Sequence, residues 1–549
     1  MGEPQPETSG HGGDHARAVF DIHGIDTMWT LSGAHVFPLY DAAVRQQPAM
    51  RIVDVRHEQT AVFGAEAMAK LTRTTGLAVL TAGPGVTNGV SAIAQAHFSG
   101  VPLLVVGGRA PQYRWGAGAL QELDHPPILA TITKRAVTAR STADVATVLH
   151  DALQDAASPH RGPVFVDVPM DELFGRADLE QLPSAKRAVA EPDQDELTTI
   201  AARLATAERP VLVLGSDVWL DRADDAAVRF ADETGIPVVA NGMGRGILPP
   251  RHPLLANRAR SAAFNSADLV VAAGTPLDFR LGYGAFPGGA DVVHIVDSPD
   301  QIASHVDLTA AVAGDLTAVF DGLLAAYTAE LRRTSPAAWA AELQASVTAT
   351  ADRDAALLAA DSDPIHPARI YGELIPLLGD DAVIIGDGGD FVSWAGKFIE
   401  PGRPGCWLDP GPYGCLGAGA GAAAAARLAR SGSQVVLLYG DGAAGMSLMD
   451  VDTLVRHRLP VVIVVGNNGA WGLEKHPMRF LYGYDVATDL RLETRYDAVV
   501  EALGGAGETV ASSAEIAPAL RRAFAAGVPY LVNVLCDRDV AYPRSTTGV

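Results

Sequence analysis

The sequence predicts an α/β protein made of three doubly wound parallel-sheet domains, over residues 1–180, 181–360 and 361–549. Two observations carry that expectation. Short β-branched apolar runs alternate with helix-length amphipathic segments along the whole chain, the pattern of parallel strands joined by crossover helices. At 549 residues, the chain also exceeds what a single hydrophobic core organises.

In the first domain, "GLAVLTAG", "VPLLVVGG" and "GPVFVDVP" read as buried strands, and the polar, proline-containing "RADLEQLPSAKRAVAEPDQD" reads as a linker. The second domain opens with "RPVLVLGSD", passes through a helix in "DDAAVRFADETG" and continues with "IPVVA", "ADLVVAAG" and "DVVHIVD". A doubly wound order suits nucleotide-like ligands at strand carboxyl ends, but GxGxxG is missing, which argues against a standard dinucleotide site. The third domain carries "DAVIIGDGGD", "QVVLLYGDG", "PVVIVVGNNG" and "PYLVNVLCD".

Composition excludes several classes. A formal charge of −22 argues against nucleic-acid or anionic-membrane binding, so an anionic ligand needs a local site. Cys406, Cys415 and Cys536 show neither metal-ligand spacing nor a disulfide framework, which points to the reducing cytoplasm. The polar, acidic "MGEPQPETSGHGGDHA" is no secretory leader, and "AGAGAAAAARLA" is too short and alanine-rich to span a membrane.

The chemistry starts at "VVLLYGDGAAG", a glycine-rich turn that follows an apolar run. Leu448, Val451, Leu454 and Val455 then fall at helical spacing, which predicts one amphipathic helix before the strand "LPVVIVVGNNG". A helical crossover makes the flanking strands parallel and sets Asp441 and Asn468 at the same sheet edge. Their side-chain oxygens, with a main-chain carbonyl, are the hard donors Mg²⁺ takes, and turn N–H groups would hold a diphosphate that the metal bridges. The alternative is a plain tight turn, with Asn467-Asn468 as a helix cap.

"GDG" followed by "NN" at this separation resembles the motif of the thiamine-diphosphate-dependent decarboxylase and carboligase superfamily. The resemblance implies that Asp441, Asn468 and the backbone of Ala470 hold Mg²⁺, with Gly442, Ala443 and Asn468 at the cofactor. "VRHEQTAVFGAEAMAKLTRTTGLAVLTAGPGVTNGV" is similar to the family's pyrimidine-binding domain, whose glutamate would be Glu58. "PYGCLGAGAG" looks like the segment that bends the cofactor, through Leu416 and the Gly414 carbonyl. In "GDGGDF", Gly388, Gly389 and Asp390 would form a second cradle for the diphosphate. The implied domains are pyrimidine-binding, central and diphosphate-binding. Active sites would lie between subunits of a homodimer or homotetramer.

Three reactions compete within the resemblance: acetolactate synthase, oxalyl-CoA decarboxylase and 2-hydroxyacyl-CoA lyase. Acetolactate synthases follow "NN" with a glutamine and a Gly-Met-Val helix and bind a flavin; "NNGAWGLEKHPMRF" departs from that. "ETRYDAVVEALGGAG" looks like a segment the two CoA enzymes share. Leu120, Gln121, Leu123, Ala34 and His35 suggest an apolar pocket with few polar groups, which favours the lyase acting through a thiamine ylide, with branched 2-hydroxyisobutyryl-CoA as a candidate substrate. Glu493 and Glu474 compete to serve the substrate hydroxyl, and Lys475 could pair with Glu474 at the surface. Gln121 and His35 could orient the substrate, though His35 reads equally as a core histidine. For CoA, the candidate donors are Arg258, Arg260, Arg280, Arg403, Lys475 and Arg479. In the central domain Asp297 could accept ribose hydroxyls, and the resemblance allows ADP there. The C-terminal "AYPRSTTGV" is a candidate lid.

Overall fold

A computed structural model describes residues 9–178, 184–185, 190–330 and 334–543. Much of the predicted linker, and the tail from residue 544 on, lie outside the described residues. Packing divides the chain into two compact units, residues 1–188 with 413–429, and residues 189–412 with 430–549.

The first unit is built on a parallel sheet of Thr27–Thr30 (β1), Arg51–Asp54 (β2), Gly76–Leu80 (β3), Leu103–Arg109 (β4), Arg135–Thr138 (β5) and Pro163–Pro169 (β6), in the order β2-β1-β3-β4-β6-β5. β3, β4 and β6 are buried along their whole length, which explains why they read as continuous apolar runs. Glu58–Thr72 (α1) and Val90–Phe98 (α2) cover the sheet. Gly419–Ala429 (α3) packs along α1, which is why 413–429 groups with this unit. The small residues of α3 allow the approach: a Cβ on Gly421 would lie 2.7 Å from the Thr60 carbonyl oxygen.

In this unit the His23 and His150 rings meet at 3.1 Å. Burial first, and the neighbouring His150 second, hold His23 down to about 4. The unfolded chain therefore binds the His23 proton more readily than the folded one, and stability falls as pH drops from about 6.5 towards 4. Because the ring is half-exposed, solvent screening leaves about 1 kcal/mol of this between pH 7 and 5. His23→Gln should lose that much less than the parent over this range in urea unfolding; an equal loss contradicts the assignment.

The second unit holds two parallel sheets. Pro210–Leu214 (β7), Val238–Ala240 (β8), Leu269–Ala273 (β9), Asp291–Val296 (β10) and Ala310–Ala313 (β11) run in the order β8-β7-β9-β10-β11. Val383–Asp387 (β12), Trp407–Leu408 (β13), Val435–Gly440 (β14), Val462–Asn467 (β15), Ala506–Val510 (β16) and Tyr530–Leu535 (β17) run in the order β13-β12-β14-β15-β17-β16. The chain leaves β12 towards one edge and resumes at β14 on the other side of β12. The order therefore reverses between them, and that is where doubly wound sheets bind ligands.

Two local expectations differ. Asp441 does not sit in a loop: it opens the helix Asp441–Ser447 (α4) directly after β14. The segment read as one amphipathic helix is broken by a 3₁₀ turn, Leu448–Asp450, before a helix resumes at Val451. Ser447 leaves helical geometry at φ −140°, and its hydroxyl lies 2.8 Å from that of buried Tyr439. Among the described residues no helix is long and apolar enough to cross a membrane.

Candidate active site

The reversal point of the third sheet gathers most of the predicted cofactor residues. Gly388, Gly389 and Asp390 follow β12, Asp441 and Gly442 follow β14, and Asn468 and Ala470 follow β15. Gly388 has φ +147°, and a Cβ there would lie 2.8 Å from the Gly440 nitrogen, so the two strand ends nearly touch. Asn468 donates from Nδ2 to Asp390 Oδ2 at 3.4 Å, and its Oδ1 accepts the Ala470 N–H at 3.1 Å. The Trp471 ring lies over Gly442, where a Cβ would come within 2.5 Å of it.

Asp441 is 3% exposed. Its Oδ1 accepts the Gly442 N–H at 3.0 Å, and its Oδ2 is buried with no hydrogen-bond partner among the described residues. Burial pushes its carboxyl up to about 7, against the pull of main-chain N–H groups. A buried carboxylate oxygen without a donor costs free energy unless something else satisfies it. A divalent cation does so, and the nearby donors are the hard oxygens it prefers. The residues therefore fit Mg²⁺, which Asp441, Asn468 and the Ala470 carbonyl would hold.

The first unit places Glu58 at the start of α1, 8% exposed, with its Oε2 accepting from Asn88 Nδ2 at 3.0 Å. Here the sheet order reverses between β1 and β3, and the residues after those strands meet: His35 Nδ1 lies 3.0 Å from the Thr81 hydroxyl. His35 is 6% exposed, and burial lowers its basicity. Gln121 packs on Gly83, where a Cβ would come within 2.9 Å of the glutamine's own. The Gly414–Leu416 segment is fastened in this unit by a Phe98–Tyr413 stack at 5.0 Å and by Cys415 against the Ser91 carbonyl.

Sequence reasoning missed the buried network behind Gly83. The Gly83 N–H donates to His125 Nε2 at 3.0 Å, so His125 carries its proton on Nδ1 and gives it to Asp167 Oδ2 at 2.9 Å. Arg109 Nη1 reaches the same oxygen at 2.9 Å, with its guanidinium 3.8 Å above the Trp115 ring. Gly83 and His125, and His125 and Asp167, are each 42 residues apart in sequence, and Arg109 and Asp167 are 58 apart; the strand order brings them together.

The remaining candidates are more scattered. The Glu493 side chain is 74% exposed, 3.5 Å from Arg491. Glu474 is exposed in the first turn of Gly472–Tyr482 (α5), whose Gly472 packs against Asp390. Lys475 faces inward at 1% exposure and pairs with Asp485 at 2.6 Å and Asp489 at 2.7 Å, so it is not a surface partner for Glu474 and not free for a phosphate. Arg479 also pairs with Asp485. Of the expected CoA donors, Arg258 donates to the Phe398 carbonyl and Arg280 pairs with Asp278. Arg260 donates to the Arg280 carbonyl at 2.7 Å, Arg403 is exposed, and Asp297 is buried at the end of β10.

The sequence matches the domains described as thiamine pyrophosphate enzyme, N-terminal TPP binding domain, over residues 11–128, central domain over 197–323, and C-terminal TPP binding domain over 387–534. A "Probable acetolactate synthase" of Mycobacterium bovis is 48% identical over 543 residues, covering 98% of each chain. "2-hydroxyacyl-CoA lyase 2" of Homo sapiens is 33% identical over 579 residues, covering 96% of this chain and 90% of that one. The Caenorhabditis elegans protein of the same name is 33% identical over 558 residues, covering 92% and 85%. Domains in that order, with a buried aspartate and an asparagine at adjacent strand ends, make this chain a member of the thiamine-diphosphate-dependent enzyme family.

Proposed function

We propose that the chain is a carboligase of the acetolactate synthase type, joining two 2-oxo acids with release of carbon dioxide. One observation carries this over the lyase favoured by the pocket residues: 48% identity over nearly the full length with a relative of that name, against 33% for the lyase-named relatives. The branched 2-hydroxyisobutyryl thioester has no counterpart in those names.

Bound thiamine diphosphate supplies a carbon nucleophile that adds to a carbonyl and holds the electron pair freed by bond cleavage. The chain's residues do the rest. Asp441, Asn468 and Ala470 would hold Mg²⁺ through oxygen, and the Ala443 N–H, with the Gly388-Gly389 turn, would take the diphosphate. The Glu58 carboxylate, oriented by Asn88 and shielded from water, holds the proton that moves during activation. Leu416 and the Gly414 carbonyl would contact the cofactor. His35 and Gln121 flank the Gly83 turn, where they can orient the acceptor carbonyl. Active sites completed between two copies of the chain make a homo-oligomer the working form.

The lyase is the second reading, favoured by "NNGAWGLEKHPMRF" and "ETRYDAVVEALGGAG", and its substrate would be an acyl-CoA. In that case Glu474 is the better partner for the hydroxyl, because it lies in the first turn of the helix whose Gly472 packs against Asp390, while the Glu493 side chain is 74% exposed.

The test supplies thiamine diphosphate, Mg²⁺ and, separately, pyruvate, oxalyl-CoA and 2-hydroxyacyl-CoAs. Acetolactate from pyruvate supports the carboligase; formyl-CoA from a 2-hydroxyacyl-CoA, with no acetolactate, overturns it in favour of the lyase. Glu58→Gln should lower whichever activity is found by about 10²- to 10⁴-fold with unchanged thermal unfolding. Full activity in that variant would remove Glu58 from the mechanism.

A further inference from the structure

Arg538, three residues past the end of β17, lies against the loop that bears the metal ligands. Its Nε donates to the Asn468 carbonyl at 3.2 Å, and its Nη2 donates to the carbonyls of Gly469 at 3.0 Å and Leu490 at 3.2 Å. Its Nη1 is 3.5 Å from Asp489. One guanidinium thus ties the metal loop, residues 467–470, to the segment that precedes Glu493. Gly469 makes this approach possible: it has φ +61°, and a Cβ would come within 2.6 Å of Arg538 Nη2.

The two segments are joined by other bonds as well. The Leu490 N–H donates to the Gly469 carbonyl at 2.7 Å, the Trp471 N–H to the Thr488 carbonyl at 2.8 Å, and Asn467 Nδ2 to the Leu492 carbonyl at 2.9 Å. Lys475 holds the far end through Asp485 and Asp489. Among the described residues, only the Arg538 side chain takes two consecutive main-chain carbonyls of the loop itself.

We infer that Arg538 is a positioning residue for the divalent-cation site. By holding the carbonyls of Asn468 and Gly469, it fixes the two peptide planes that flank Gly469, the 468–469 and 469–470 peptides. Those planes set where the Asn468 side chain and the next carbonyl, that of Ala470, point. A planar fork can hold carbonyls from two segments at once, and a lysine's single ammonium on a flexible stem cannot keep that geometry. Groups that orient metal ligands from behind commonly change metal affinity by about 10- to 100-fold. Asp489 beside the guanidinium offsets its positive charge, which would otherwise oppose the cation.

This inference rests on the metal reading of Asp441 and Asn468, not on which reaction the enzyme runs. The experiment titrates Mg²⁺ into the full-length protein with saturating thiamine diphosphate, read by the fluorescence of tryptophan, Trp471 being packed on Gly442. R538Q should weaken Mg²⁺ binding at least about tenfold, and R538K should fall between it and the parent. An unchanged dissociation constant in R538Q, with any loss confined to thermal stability, overturns the positioning role. If R538Q does not fold, R538K decides: weaker Mg²⁺ binding supports the role, and parental affinity overturns it. A parent chain that binds no Mg²⁺ overturns the metal reading and this inference together. Failure of the carboligase assay leaves the titration untouched.

Discussion

Asp441→Asn should abolish the cofactor's effect on stability while leaving the cofactor-free protein at least as stable as the parent. The two halves of that result have one cause. In the folded chain the Asp441 carboxylate is buried, close enough to Asp390 to feel its charge, and has one oxygen without a donor. An amide of the same shape removes the charge and most of its desolvation cost. The same change takes away the anionic oxygen a divalent cation needs. A ligand that binds only the folded state at 100 times its dissociation constant adds about 2.7 kcal/mol of stability, and the variant should lose all of it. Thermal unfolding with and without thiamine diphosphate and Mg²⁺ reads both halves at once, and turnover should fall to background. A variant that keeps the parental cofactor-induced shift would mean that the metal sits elsewhere.

The strands were legible because parallel strands buried on both faces read as unbroken apolar runs, as in "VVLLYG" and "VVIVVGN". The placement of Asp441 and Asn468 followed from them, since one crossover fixes which edge the two residues share. Side-chain partners were less legible. Lys475 follows Glu474 directly, but consecutive residues on a helix point in different directions, and the lysine turns inward to Asp485 and Asp489. The backbone of 488–492 bonds to residues 467–471, because Gly469, Trp471 and Asn467 supply hydrogen-bonding groups that periodicity cannot reveal. The partners of the central-domain arginines were hidden for a similar reason. Arg258 and Arg280 meet needs within the fold, a carbonyl and a carboxylate, that only the folded chain creates.

The largest purely structural effect should come from Asp167→Ala. Asp167 is fully buried, and its Oδ2 serves both His125 and Arg109. A buried ion pair is weak evidence of net stability, because desolvation of both charges offsets much of their attraction. Removing one partner alone is different: Arg109, 8% exposed, would keep its charge with only the more exposed Asp124 beside it. Such a loss costs about 3–5 kcal/mol. Asp167→Asn keeps the shape and an acceptor oxygen, so it should cost less. The damage should also travel. His125 would lose the acceptor that fixes its Nδ1–H tautomer, and with it the orientation that presents Nε2 to the Gly83 N–H. Gly83, at φ +59°, leads through Pro84 and Gly85 to Asn88, the residue that holds Glu58. Hydrogen exchange over residues 82–89 should therefore quicken in Asp167→Ala well before the chain unfolds globally, and less so in Asp167→Asn. Peptide-resolved exchange separates this from a general loss of stability, because a general loss would raise exchange across β4 and β6 by the same factor. If 82–89 stays as protected as in the parent, the histidine is packing and not a support for the catalytic glutamate.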